Sequence, residues 1–80
     1  MTQHKMIIVE DDLKLQTMLK DYFITQGFEV TTLDDGEAAA HTIIAQQPDI
    51  VLLDLMLPVM DGLTICRQTR SSYRGKILML

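Results

Sequence analysis

Acidic side chains directly follow two of the most apolar stretches of this sequence. Glu10 and Asp11 come after the first stretch, and Asp54 comes after another. Carboxylates that converge at one place repel one another, which raises their proton affinity unless a cation lies among them. Oxygen ligands of this kind suit Mg²⁺, which needs few protein ligands. A carboxylate beside such an ion can attack phosphorus and form an aspartyl phosphate. If they converge, these residues predict magnesium-assisted phosphoryl chemistry.

Each of these acids also has an ordinary structural explanation. Asp11 or Asp12 can cap the helix that follows, and Asp54 can cap a turn after its strand. Acidic caps are common, so any one of these residues taken alone is more often structural. The chemical interpretation therefore depends on a fold that brings the carboxylates together.

Four short apolar runs alternate with three segments of helical periodicity. The runs are predicted as strands at 6–9, 28–33, 50–53 and 76–80. Short connections and apolar strands are typical of a doubly wound α/β fold, a parallel sheet with helices on both faces. In the flavodoxin-like order 2-1-3-4, ligands bind beyond the carboxyl ends of strands one and three. Glu10, Asp11 and Asp54 end those two strands, so the fold predicts that they converge.

The sequence also indicates which side of each of the first two helices faces the sheet and where these helices end. Apolar residues at three- and four-residue spacing are predicted to turn the first helix toward the sheet: Leu15, Met18, Leu19, Tyr22 and Phe23. Gly27 supplies its left-handed stop. In the second helix, Ile43 and Ile44 are predicted to face inward, and Pro48 to end the helix.

The composition excludes several classes of protein. With 48% hydrophobic residues, the 80-residue chain is suited to one folded core. Its single cysteine, Cys66, cannot form an internal disulfide, which indicates a reducing, cytoplasmic setting. No apolar run approaches the length of a membrane span. The net charge of −4 disfavours contact between residues 1–80 and nucleic acid.

Three segments together resemble a known family. They are Ile-Val-Glu-Asp-Asp at 8–12, Pro-Asp-Ile-Val-Leu-Leu-Asp-Leu-Met-Leu-Pro at 48–58, and Met-Asp-Gly at 60–62. They resemble the receiver domain of bacterial two-component response regulators and are most similar to the OmpR/PhoB class. Residues 1–80 are therefore interpreted as the N-terminal portion of a CheY-like receiver domain, with four of its five strands.

The resemblance implies a phosphoacceptor signalling domain rather than an enzyme. Asp54 would accept a phosphoryl group from a sensor histidine kinase. Asp11 and Asp54 would bind Mg²⁺ directly, Glu10 mainly through metal-bound water, and Met56 through its backbone carbonyl. The implied output is transcription, through a C-terminal DNA-binding domain that lies outside residues 1–80.

Other family features would lie beyond Leu80. They are a Ser or Thr and a Lys that hold phosphoryl oxygens, and the face through which members of this class usually dimerise, so a homodimer is left open. A chain that ended at Leu80 would leave its fourth strand as an unpaired edge and is expected to self-associate there.

Three alternatives remain at this point. A phosphohydrolase of the haloacid dehalogenase type also uses an Asp after a parallel strand, but it needs a second acid where this sequence has Met56. A receiver-like interaction module without phosphorylation would not require Glu10, Asp11 and Asp54. A cofactor-binding flavodoxin-like domain would need a glycine-rich or hydroxyl-rich phosphate loop.

Overall fold

Strands and helices alternate along the whole described part of the chain. The computed structural model describes residues 3–54 and 62–79. The elements, in chain order, are β1 His4–Val9, α1 Leu13–Thr25, β2 Phe28–Leu33, α2 Gly36–Gln46, β3 Ile50–Leu53, α3 Gly62–Thr69 and β4 Lys76–Met79. All strand pairs are parallel, in the order β2-β1-β3-β4. The predicted doubly wound sheet and its strand order are confirmed.

Strand β1 lies inside the sheet, between β2 and β3, and its last four residues are buried. Each residue from 6 to 9 is at most 1% exposed, because β2 and β3 flank the strand and helices cover both faces. The strand begins two residues earlier than predicted. His4 and Lys5 are polar but pair in register with Phe28 and Glu29 of β2.

Side chains of β1 and β3 alternate between two hydrophobic clusters, one on each face. The α2 and α3 face holds the larger cluster: Ile7, Val9, Ala39, Ala40, Ile43, Val51, Leu53, Ile65 and Tyr73. On the α1 face, Met6, Ile8 and Leu52 are buried, with partly buried residues of α1 and the strands packed against them. Apolar residues at successive strand positions are therefore buried because both faces are covered.

Local signals set most helix ends. The side chain of Asp35 caps α2 by accepting from the Glu37 N–H at 2.8 Å. Gly27 has φ +94°, so its predicted left-handed role after α1 is confirmed. Helix α2 ends at Gln46, two residues before Pro48, and its C-cap Gln47 has a left-handed φ of 46°.

Three predicted core positions are wrong. Met18 and Tyr22 are 61% and 57% exposed, because α1 meets the sheet along Leu15, Leu19 and Phe23 and these two residues lie to one side of that line. Ile44 is 37% exposed, since the buried side of α2 follows Gly36, Ala39, Ala40 and Ile43.

Strand β4 forms one edge of the sheet in the part of the chain that the structure describes. It pairs with β3 on one side, and Leu78 and Met79 are 50% and 37% exposed. The expected self-association through this strand stays a prediction.

Candidate metal centre

The carboxyl ends of β1 and β3 lie side by side. Val9 is the register partner of Leu53, and the Asp54 N–H donates to the Val9 carbonyl at 3.0 Å. The residues that follow both strands therefore leave the sheet at the same place. Glu10, Asp11 and Asp54 each present a carboxylate oxygen here, and these oxygens all lie within 4.8 Å of one another. The structure brings together the three acids selected from the sequence.

Hydrogen bonds hold Glu10 in the junction between β1 and α1. Its N–H donates to the Leu33 carbonyl at 2.9 Å, which extends the pairing of β1 with β2 by one residue. Its Oε1 accepts from the Asp12 N–H at 3.0 Å, and its backbone carbonyl accepts from Nε2 of Gln16 at 3.0 Å. Glu10 is consequently only 2% exposed, whereas neighbouring Asp11 is exposed.

Asp12, rather than Asp11, caps helix α1. Its Oδ1 accepts from the backbone N–H groups of Lys14 and Leu15, at 3.0 and 3.2 Å. This arrangement satisfies two of the N–H groups that a helix start leaves without a partner. The cap therefore leaves the carboxylate of Asp11 available to the acidic cluster.

The cluster is electrostatically unfavourable without a cation. Burial raises the pKa of Glu10 above its ordinary value, and the carboxylates of Asp54 and Asp11 raise it further, while the Asp12 N–H opposes the shift. A cation near these oxygens would favour the ionised form of Glu10 and reduce the repulsion among the three groups.

The donor set fits a magnesium ion. All three side chains offer oxygen, which Mg²⁺ prefers, and at a metal–oxygen distance of about 2.1 Å two ligand atoms on one ion lie roughly 3–4 Å apart. The limit of 4.8 Å among these oxygens is close enough for small side-chain rotations to bring them onto one ion. Met56, predicted to contribute a backbone carbonyl, lies outside the described residues.

Gln16 was missed by the sequence analysis. It is a polar residue in the second turn of a surface helix, and nothing in its local pattern distinguishes it from a solvated glutamine. Only the path of the chain shows that its amide reaches back to the carbonyl of Glu10.

Comparison with known proteins assigns the chain to a family. Residues 6–80 match the family described as "Response regulator receiver domain". The chain belongs to this family, and it is a receiver domain of a two-component response regulator.

Relatives with similar sequences and structures refine this assignment. The chain is 40% identical over 74 residues to the transcriptional regulatory protein RstA of Escherichia coli (strain K12), covering 92% of this chain and 31% of RstA. The chain thus spans about a third of this curated relative. The sequence resemblance to the OmpR/PhoB class is confirmed.

Two solved structures illustrate the likeness in fold. The BeF₃-activated receiver domain of Klebsiella pneumoniae RstA is 37% identical, with a TM-score of 0.88 over 95% of this chain and 65% of that one. The receiver domain of a Pseudomonas aeruginosa sensor histidine kinase is 30% identical, with a TM-score of 0.91 over 98% of this chain and 66% of the other. That second structure has a magnesium ion coordinated in its active-site cleft.

Within residues 3–54 and 62–79, no helix is both long enough and apolar enough to cross a membrane.

Proposed function

We propose that this receiver domain accepts a phosphoryl group onto Asp54 from a sensor histidine kinase, in a reaction that depends on Mg²⁺. The observation that carries the proposal is the convergence of Glu10, Asp11 and Asp54, with oxygens within 4.8 Å of one another, at the carboxyl edge of the sheet. Family membership supports the same chemistry.

The position of each side chain supports its proposed role. Asp54 is partly exposed at the end of β3, so an incoming phosphodonor can reach it. A carboxylate oxygen of Asp54 attacks phosphorus, the bond from phosphorus to the donor nitrogen breaks, and an aspartyl phosphate forms. Asp11, which is exposed, and Asp54 are the direct metal ligands.

The remaining groups complete the proposed metal site. Buried Glu10 would act mainly through metal-bound water, and Met56 would offer its backbone carbonyl. Bound Mg²⁺ supplies positive charge that offsets the negative charge gathered on the phosphoryl group and the carboxylates. The magnesium ion in the Pseudomonas aeruginosa receiver domain supports this choice of metal.

The wider role is proposed from the relatives. The name of the Escherichia coli relative, a transcriptional regulatory protein, supports transcription as the output. DNA would be contacted by a domain outside residues 1–80, because these residues carry a net charge of −4. A cytoplasmic location, the cognate kinase and a homodimer stay predictions.

An Asp54→Asn substitution tests the phosphoacceptor. An amide cannot attack phosphorus as a carboxylate does, so we expect the variant to lose all phosphorylation. The intact protein is treated with an acyl phosphate and MgCl₂, and its mass is then measured. Asp34→Asn is the matched control, since Asp34 also follows a strand at this edge but does not belong to the acidic cluster.

The outcomes separate the remaining interpretations. The natural protein and the Asp34→Asn variant should each gain one phosphoryl group. Equal incorporation by the Asp54→Asn variant would place the acceptor elsewhere. A natural protein that gains no phosphoryl group would instead behave as a receiver-like interaction module.

A further inference from the structure

Gln16 connects helix α1 to the loop that carries two of the three acids. It is half-buried in the second turn of the helix, where its backbone N–H donates to the Asp12 carbonyl at 2.8 Å. Its side-chain Nε2 donates to the carbonyl of Glu10, six residues back, at 3.0 Å. The side chain therefore spans the whole junction between β1 and α1.

The accepting carbonyl belongs to the peptide unit that joins Glu10 to Asp11. Because the peptide is planar, fixing its carbonyl also fixes the direction in which the chain enters Asp11. The Glu10 N–H and carboxylate are held separately, by Leu33 and by the Asp12 N–H. Asp11 itself is exposed, so its position depends more on the backbone than on packing.

We infer that Gln16 is a positioning residue for the metal site: its amide holds the Glu10–Asp11 peptide so that the Asp11 carboxylate stays within reach of Asp54. This inference rests on the proposed function, because it concerns the same site. Residues that hydrogen-bond to metal ligands orient those ligands. Loss of such a hydrogen bond typically weakens metal affinity by about 10–100-fold. Gln16 supports the ligand through the main chain, so we expect the lower end, about tenfold.

The test compares Mg²⁺ binding by the intact natural protein and the Gln16→Met variant. Methionine has a similar length and suits a helix, but its side chain has no N–H to donate. The Kd for MgCl₂ is measured by titration calorimetry. The initial rate of phosphorylation by an acyl phosphate is followed across the same MgCl₂ range. Gln46→Met is the matched control, since Gln46 is an exposed helical glutamine at the far end of α2.

The expected result is a change in metal affinity that a purely structural role would not give. The Gln16→Met variant should bind Mg²⁺ about tenfold more weakly and be phosphorylated slowly at low MgCl₂, with its rate restored at saturating MgCl₂. The Gln46→Met variant should match the natural protein throughout. Gln16→Asn is a second variant, which retains an amide but is one methylene too short for the same contact, and it should show the same weakening.

Two results would overturn the inference, and they can be told apart. If the natural protein binds Mg²⁺ and a folded Gln16 variant binds it within about twofold, Gln16 has no positioning role and the proposed function still stands. If the natural protein itself shows neither Mg²⁺ binding nor phosphorylation, the proposed function fails and the role of Gln16 fails with it.

Discussion

The acidic groups at the two ends of the parallel strands have opposite surroundings. We call the side of the sheet where the strands end the carboxyl edge, and the side where they begin the amino edge. At the carboxyl edge, three acids of like charge face one another within 4.8 Å. At the amino edge, Asp49 is paired: its Oδ2 accepts from the Lys5 N–H at 2.7 Å and lies 3.7 Å from Nδ1 of His4. One edge thus accumulates repulsion that a cation can relieve, whereas the other satisfies its acid within the chain.

Tyr73 extends the favourable network at the amino edge. Its ring is 1% exposed within the larger hydrophobic cluster, and its hydroxyl donates to the Pro48 carbonyl at 2.8 Å. Nearby, the amide of Gln47 donates to the Ser72 carbonyl at 2.8 Å. These contacts join the loops before β3 and β4. The amino edge therefore satisfies its polar groups by contacts within the chain, away from the site where charge must be accommodated.

Removal of the Tyr73 side chain should have the largest effect on stability. We expect Tyr73→Ala to lower the free energy of unfolding by about 3–5 kcal/mol, because it leaves a cavity in the core. Tyr73→Phe should lower it by about 1–3 kcal/mol, since the buried Pro48 carbonyl loses its donor. Urea unfolding measures both values. Tyr22→Ala is the control, because Tyr22 is 57% exposed.

The Tyr73→Phe variant also tests whether the two edges act independently. Folded Tyr73→Phe protein should retain the Mg²⁺ affinity of the natural protein. A marked weakening would mean that the amino edge also controls the acidic cluster, and that the two edges are not separate in function.

A smaller loss is expected from Gly75→Ala. A Cβ at residue 75 would meet the hydroxyl and ring of Tyr73, and overpacking of this kind costs about 1–3 kcal/mol. Because the hydroxyl oxygen is the nearest atom, the double variant Tyr73→Phe, Gly75→Ala should lose less stability than the sum of the single variants. Additive losses in urea unfolding would show that residue 75 does not act through Tyr73.

The smallest effect is expected at the acidic cluster itself, and it depends on pH. The pKa of Glu10 is raised by its burial and by Asp54, so its contribution to the stability of the metal-free chain is fully present below its ordinary value of 4.5. That contribution is lost as the pH rises through the raised pKa. Glu10→Gln should therefore be more stable than the natural protein at neutral pH in EDTA, with the advantage disappearing in acid.

The effect of Glu10→Gln on stability should also depend on MgCl₂. A cation that binds only the folded state stabilises the natural protein, and the stabilisation increases with the logarithm of its affinity, so the advantage of Glu10→Gln at neutral pH should shrink. Glu29→Gln, at an exposed strand position, is the control and should show no such dependence on the metal. If Glu10→Gln is less stable than the natural protein in EDTA at neutral pH, then the charge of Glu10 has a net stabilising effect. The charged carboxylate would in that case gain more from accepting the Asp12 N–H than it loses by repulsion.

Local pattern predicted the strand order better than it predicted which helix residues are buried. Helical periodicity identified a stripe on α1, but a stripe covers a wide angle, and only part of it meets the sheet. Met18 and Tyr22 fall on the uncovered part, and Ile44 falls outside the buried side of α2. Which flank of a helix is covered depends on neighbours that are distant in sequence, so local spacing could not determine it.

For the acidic residues, the sequence likewise predicted the general position and the structure supplied the detail. Their placement after apolar runs predicted that Glu10, Asp11 and Asp54 converge, because parallel strands end at a common edge. Sequence left open whether Asp11 or Asp12 caps α1, since either residue type suits the position. The structure assigns the cap to Asp12.

The sequence was sufficient to predict the alternation of strands and helices, the sheet order and the edge at which the acids gather. These features depend on residue type, short-range spacing and the general geometry of parallel sheets. The folded structure was needed to show that Glu10 is buried while Asp11 is exposed, and that Gln16 reaches the Glu10 carbonyl. It was also needed to show that Tyr73 reaches Pro48, 25 residues away. These features depend on backbone direction and on contacts between separate elements, which no local pattern specifies.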